Sequence, residues 1–227
     1  MKNVVVISGG SEGLGYAIAK ILVPTHEVVI LATNPEKLAK AAEEVGCHFE
    51  VCDVSDAGAV EGVVARVIEK FKRIDVLVNN AGIWIEGKIE ENEPAAIRRV
   101  LEVNTLGTVF LTRAVVPRMK RQKQGTIINV ISQAGLYGKE ERSVYNASKF
   151  AITGFTKSLE PELKNFGIRV IGLYPGFMRT KMFEKIGITK DMAKAIDPAE
   201  VAEMVKFIVE SDPTTTFPEV GVKRIDN

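Results

Sequence analysis

Cysteine and histidine are scarce in this 227-residue chain, at two residues each, and there is a single tryptophan. Cys47 and Cys52 stand five residues apart in an expected strand, and odd spacing sends them to opposite faces. No disulfide is expected between them, and two free thiols fit a reducing, cytoplasmic setting. His26 and His48 belong to no H-x-x-x-H or C-x-x-C pattern, so no metal site is expected. No apolar run approaches the roughly eighteen residues of a membrane span. The run Val4–Ile7 after Lys2 is too short for a signal peptide and passes straight into Gly9 and Gly10. Charge of one sign is also lacking: 30 basic against 29 acidic residues leave +1. Neither a nucleic-acid nor a membrane partner is therefore expected. The local basic run Arg118, Lys120, Arg121 and Lys123 fits the end of a helix, where cations are favoured.

What is present is an ordinary globular composition, 46% apolar and 26% charged. At this size about 72% of the unfolded surface can be buried, enough for a full core. Short β-rich runs alternate with helical stretches throughout. Val4–Ile7, Val28–Ala32, Phe49–Cys52, Ile74–Val78, Thr126–Ile131, Arg169–Leu173 and Glu219–Ile225 read as strands. Leu14, Ala17, Ile18, Ile21 and Leu22 recur at helical spacing, and Asn34-Pro35 and Asp197-Pro198 open helices as cap and first turn. This pattern predicts an α/β fold: a doubly wound, mostly parallel sheet of about seven strands with helices on both faces. No linker or repeat divides the chain, so one domain spanning 1–227 is expected. Right-handed crossovers then bring every strand-to-helix loop to the carboxyl edge of the sheet.

The first of those loops reads Ser8-Gly9-Gly10-Ser11-Glu12-Gly13-Leu14-Gly15. Its glycines allow a tight turn and a close backbone approach to a pyrophosphate, which the N-terminus of the next helix attracts. Further along, Tyr145 and Lys149 form a Y-x-x-x-K pair on one face of an expected helix. A phenol ionises near pH 10, and a fixed ammonium nearby lowers that value, which makes a usable acid/base group. Ser132 ends the strand before that helix, where a hydroxyl can hold a substrate oxygen as charge develops on it.

Taken with Asn79-Asn80-Ala81-Gly82, with Asn104, and with Pro175-Gly176-Phe177-Met178-Arg179-Thr180, this order and spacing resembles the short-chain dehydrogenase/reductase family from residue 2 to about 210. The resemblance implies a Rossmann-type fold and an NAD(P)-dependent oxidoreductase acting on a carbonyl or secondary alcohol. It implies that Tyr145 is the catalytic acid/base, Lys149 lowers its pKa and holds the nicotinamide ribose, Ser132 polarises the substrate oxygen, and Asn104 supports a proton-relay water. By the same resemblance Gly9, Gly13, Leu14 and Gly15 line the pyrophosphate, and Ser11 and Glu12 of the same turn also meet the cofactor. Asp53 and Val54 meet the adenine; Asn80, Ala81 and Gly82 flank its ribose; Pro175, Gly176 and Thr180 meet the carboxamide.

Strand two ends Leu31-Ala32-Thr33-Asn34 without the acidic residue that would bind ribose hydroxyls and repel a 2′-phosphate. Thr33, Asn34 and Lys37 can receive that phosphate, so NADP is expected, with NAD as the alternative because Glu12 opposes it. Trp84, Gln133, Leu136, Tyr137, Phe177, Met178, Met182 and Phe183 are expected around the substrate, a medium-sized carbonyl compound. About twenty residues, 177–196, remain for a short lid. Reduction of a 3-oxoacyl thioester is the alternative activity, and a non-catalytic nicotinamide sensor or scaffold is the alternative class. The family resemblance also suggests a homodimer or homotetramer through the long helices near 95–120 and 144–165.

Overall fold

The computed structural model describes residues 2–184, 187, 189 and 191–225. Seven strands, β1 (Val4–Ser8), β2 (Glu27–Ala32), β3 (His48–Val51), β4 (Val76–Asn79), β5 (Gly125–Val130), β6 (Ile168–Pro175) and β7 (Glu219–Val222), form one sheet. Their order is β3-β2-β1-β4-β5-β6-β7, and every pairing is parallel. β4 begins two residues later than its apolar run suggests, and just before it Asp75 bonds Val4 through both its backbone N–H and its side chain, which accepts from Val4 N at 2.8 Å. β7 likewise stops at Val222, short of the expected Ile225.

All five residues of β1 are buried, which explains an apolar run without alternation. Val5 and Ile7 enter a core with helices α1 (Gly13–Leu22), α2 (Pro35–Val45) and α7 (Pro198–Glu210). Val4 and Val6 enter the opposite core, with α3 (Ala57–Phe71), α5 (Gly107–Gln122) and α6 (Ser143–Leu163). Cys47 precedes β3 rather than lying in it, yet the two thiols do pack on opposite faces, and both are free. Among the described residues, no helix is long and apolar enough to cross a membrane.

Sequence-local capping sets several boundaries. Asn34 Oδ1 accepts from Lys37 N at 2.9 Å to start α2, and Asp197 Oδ1 accepts from Ala199 N at 2.9 Å to start α7. The basic run at 118–123 closes α5 as expected, with Lys123 left-handed at its end. The long helix near 95–120 is not continuous: α4 (Pro94–Leu101) passes into α5 through a π-helical turn, Glu102–Leu106, which carries Asn104. Strand order reverses between β1 and β4, so their loops separate and leave a crevice above the carboxyl edge.

Candidate active site

The crevice is a cleft of about 1260 Å³, lined by the loops that follow β1 to β6. At its floor the loops after β1 and β4 are clipped together. Ser8 Oγ accepts from Asn80 N and Ala81 N, both at 3.0 Å, and Asn80 Nδ2 donates to Ser8 O at 2.9 Å and Gly9 O at 3.2 Å. Gly9 and Gly13 have φ of +67° and +58°. A Cβ on Gly15 would stand 2.3 Å from Gly9 O, so only glycine lets α1 begin this close beneath the turn. Gly15 acts on the turn's shape and does not itself line the cleft; Gly9, Ser11, Glu12, Gly13 and Leu14 do. A bare backbone cradle at a helix N-terminus, in a cleft of this volume, fits a dinucleotide.

At one end of the cleft lie Thr33, Asp53 and Val54. Asn34 is not part of that lining, and its side-chain oxygen caps α2. Asp53 is held by partners the sequence did not suggest: Oδ1 accepts from Ser55 N and Oγ, and Oδ2 accepts from Arg99 Nη2 at 2.8 Å. Burial raises the Asp53 pKa, but the bonds from Ser55 and Arg99 outweigh it and hold the carboxyl below its usual range.

The other end gathers Ser132, Tyr145, Lys149, Pro175, Gly176 and Thr180. Ser132 has φ 117° and ψ 155°, a region open almost only to glycine, and its Oγ accepts from Ala134 N at 3.2 Å. Asn146 on α6 donates to Ala134 O at 3.0 Å, tying the helix that carries Tyr145 and Lys149 to the loop that carries Ser132. Lys149 Nζ donates to Val130 O at 3.2 Å and lies 5.8 Å from the Tyr145 ring centroid. A methyl on Gly82 would stand 3.4 Å from Asn104 Oδ1 and 3.7 Å from Lys149 Nζ, so these two side chains flank one glycine. Asn104 itself stays behind the lining: Oδ1 accepts from Ile83 N at 2.8 Å, and Nδ2 donates to Ile83 O and Ser148 Oγ.

Desolvation dominates the electrostatics of this end. Burial pushes the Tyr145 phenol up to about 12, offset only in part by a hydrogen bond with Ser132 and by the charge of Arg142. Burial also lowers the Lys149 ammonium to about 8. Lys149 lies close enough to favour the phenolate, yet desolvation is the larger influence on the phenol. The ammonium is bonded to Val130 O, and desolvation dominates both groups.

Trp84, Gln133, Tyr137, Phe177, Met178, Met182 and Phe183 line the cleft. Leu136 does not; it packs against Ile131, Ile152 and Tyr174 beneath the loop. The two ends of the segment 177–196 are joined, with Ile196 N donating to Phe177 O and Arg179 N donating to Ile196 O. Within that segment, 185, 186, 188 and 190 lie outside the described residues. An unforeseen element completes the wall: Arg142 pairs with Glu86 at 3.2 Å and lies over Trp84.

The chain matches the short chain dehydrogenase family model over residues 3–191. It is 34% identical over 218 residues to carbonyl reductase family member 4 of Xenopus tropicalis, covering 93% of this chain and 92% of that one. It is 31% identical over 230 residues to a 3-oxoacyl-[acyl-carrier-protein] reductase of a Synechocystis strain, covering 95% and 92%. The fold superposes with a TM-score of 0.92 on an alcohol dehydrogenase from the archaeon Thermococcus sibiricus complexed with 5-hydroxy-NADP, at 25% identity, covering 100% and 98%. With a seven-stranded parallel sheet, a glycine cradle on its carboxyl edge and this similarity across nearly its whole length, the chain belongs to the short-chain dehydrogenase/reductase family of NAD(P)-dependent oxidoreductases.

Proposed function

We propose that the protein is a carbonyl reductase in which Tyr145 gives a proton to the substrate oxygen. The observation that carries this reading is the convergence of Ser132, Tyr145 and Lys149 at one end of the glycine-lined cleft. A reduced nicotinamide held in that cleft would supply the hydride. With its phenol pushed up to about 12, Tyr145 stays protonated at physiological pH, the state a proton donor needs in the reductive direction. The Ser132 hydroxyl can donate to the same oxygen as negative charge grows on it. Lys149, charged below about pH 8, would hold ribose hydroxyls, and Asn104 fixes the backbone of Ile83 beside it.

Asp53 and Val54 would receive the adenine, and Asn80, Ala81 and Gly82 its ribose, with Asn80 also holding the turn. Pro175, Gly176 and Thr180 would meet the carboxamide. NADP is proposed over NAD because no carboxylate stands in Ala32-Thr33-Asn34, and Thr33 lines the cleft there. The segment 177–196 is proposed as a lid on a single domain. A cytoplasmic homo-oligomer joined through the α4–α5 and α6 helices completes the reading. A second activity, reduction of a 3-oxoacyl thioester, draws support from the Synechocystis relative.

The test is consumption of NADPH and NADH, in parallel, with a panel of ketones and an acetoacetyl thioester. Tyr145→Phe should lower turnover by about 10³-fold while NADPH still binds, because only the proton donor is removed. Undiminished turnover in that variant would falsify the assignment.

A further inference from the structure

Arg142 caps the start of α6 one helical turn before Tyr145, and both residues line the cleft. Its guanidinium lies 5.0 Å from the Trp84 ring centre, and that ring lies 4.2 Å from the ring of Tyr145. Guanidinium and phenol therefore stand against one indole. Glu86 accepts from Arg142 Nε at 3.2 Å, and the two side chains are only 23% and 12% exposed, Arg142 and Glu86 in that order. Gly87 N donates to Glu141 O at 2.8 Å, which joins the two loops that carry the pair. Ion pairs in open water are screened to little effect, whereas charges this withdrawn keep much of their field.

Few other charges reach Tyr145. It belongs to an apolar cluster with Trp84 from the loop after β4, Ala134 from the turn after β5, and Phe177 and Phe183 from the segment 177–196. On α6 the charged groups beside it are Arg142 and Lys149; the loop after β4 brings Glu86, and the turn after β5 brings the Ser132 hydroxyl. Tyr137, Lys139, Lys181, Asp191, Lys223 and Arg224 also line the cleft, but all are exposed, where water and salt screen them. The remaining charged groups of the lining are Glu12 at the glycine turn and the Asp53–Arg99 pair at the opposite end. Lys149 and Arg142 then differ in one respect. The buried ammonium discharges above about pH 8, while a guanidinium keeps its charge at every pH at which the protein is folded. In alkaline solution Arg142 is the buried cation that continues to act on Tyr145, and its charge already offsets part of the burial that raises the phenol.

We propose that Arg142 is a positioning residue for the proton transfer at Tyr145: its charge favours the phenolate across the Trp84 ring, and Glu86 sets how much of that charge the phenol receives. This rests on the reductase reading of Tyr145, and the test separates the two. Arg142→Met and Glu86→Gln both break the same ion pair. If the pair only clips two loops together, both variants should disturb Tyr145 alike. If the charges act on the phenol, the variants should move it in opposite directions. Removing the cation disfavours the phenolate, and removing the counter-charge favours it.

The measurement is phenolate absorbance after rapid jumps to alkaline pH, read before unfolding, with the signal of Tyr145→Phe subtracted so that Tyr145 alone is followed. At a fixed alkaline pH the ionised fraction of Tyr145 should fall about threefold in Arg142→Met and rise about threefold in Glu86→Gln. Where ketones are reduced, the alkaline fall in kcat/KM with NADPH should move to higher pH in Arg142→Met and to lower pH in Glu86→Gln. Shifts of the same sign, or none, overturn the proposal. If one variant does not fold, the sign in the other decides; if neither folds, the pair serves architecture and the proposal falls. Opposite absorbance shifts in a protein that reduces no carbonyl would leave the electrostatic coupling standing and remove the reductase reading. Loss of turnover in Tyr145→Phe, with the phenolate unmoved in both variants, would do the reverse.

Discussion

The turn after β1 is shaped by atoms that are missing, whereas the wall around Tyr145 is shaped by polar groups buried at a cost. In the turn, Gly9 and Gly13 take left-handed backbone freely, and the absent Cβ of Gly15 leaves room for Gly9 O. Ser8 and Asn80 then satisfy the local backbone. Around Tyr145, Lys149 is buried and no carboxylate pairs with it among the described residues, the phenol is desolvated, and Ser132 holds a glycine-type conformation. The first region is stabilised by its fit, and the second carries strain that the surrounding fold overrides. Substitutions at the two ends should therefore move stability in opposite directions.

The largest effect is expected at the turn. Gly15→Ala places a methyl against backbone oxygen that cannot move cheaply, so it should destabilise by about 3 kcal/mol. That is a fall in Tm of roughly 10 °C for a chain of this size. NADPH affinity, followed by fluorescence titration, should drop at least tenfold. An unchanged Tm and affinity would show that the turn is not governed by steric fit.

Lys149→Met tests the other end and should raise stability, by about 2 kcal/mol at pH 7 after allowing for the lost bond to Val130 O. The sign follows from the direction of the shift. The folded-state value, about 8, lies below the ordinary 10.5, so below pH 8 the wild type carries the full penalty of a buried charge. As pH rises from 8 towards 10.5 the penalty shrinks, and the advantage of the variant should fade. Urea denaturation at pH 7 and pH 10 measures this; equal differences at both pH values would remove the argument from burial. Turnover should be lost throughout.

The smallest effect concerns Ser132. At ordinary positions alanine is more stable than glycine, but at φ 117° the order should reverse. Ser132→Gly is expected to exceed Ser132→Ala in stability by about 1 kcal/mol, with both lowering turnover by about 10²-fold. Thermal melts of the two variants side by side provide the comparison, and the ordinary order would deny that Ser132 is strained.

Much of the scaffold was legible because its causes are local. Apolar runs such as Val4–Ile7 are buried on both faces, the caps at Asn34 and Asp197 act within three residues, and the spacing of Tyr145 and Lys149 follows from helical geometry. The same locality ties Asn34 to α2, whose cap its side-chain oxygen forms. The Asp53–Arg99 pair spans 46 positions and the Glu86–Arg142 pair 56, and nothing in either local sequence announces its partner. The π turn that withdraws Asn104 behind the lining is likewise set by its contacts with Ile83 and Ser148.

By itself, the sequence determined a parallel sheet with a glycine cradle on its carboxyl edge, since hydrophobic period, capping and backbone freedom act over a few residues. Only the tertiary structure decided the state and surroundings of the chemistry. Burial, which depends on the whole fold, left Tyr145 a firmly protonated phenol and turned Lys149 towards Val130 O. It also set Trp84 against Tyr145 with Arg142 at its ring. A pKa depends on desolvation and on every charge nearby, and no spacing along the chain fixes either.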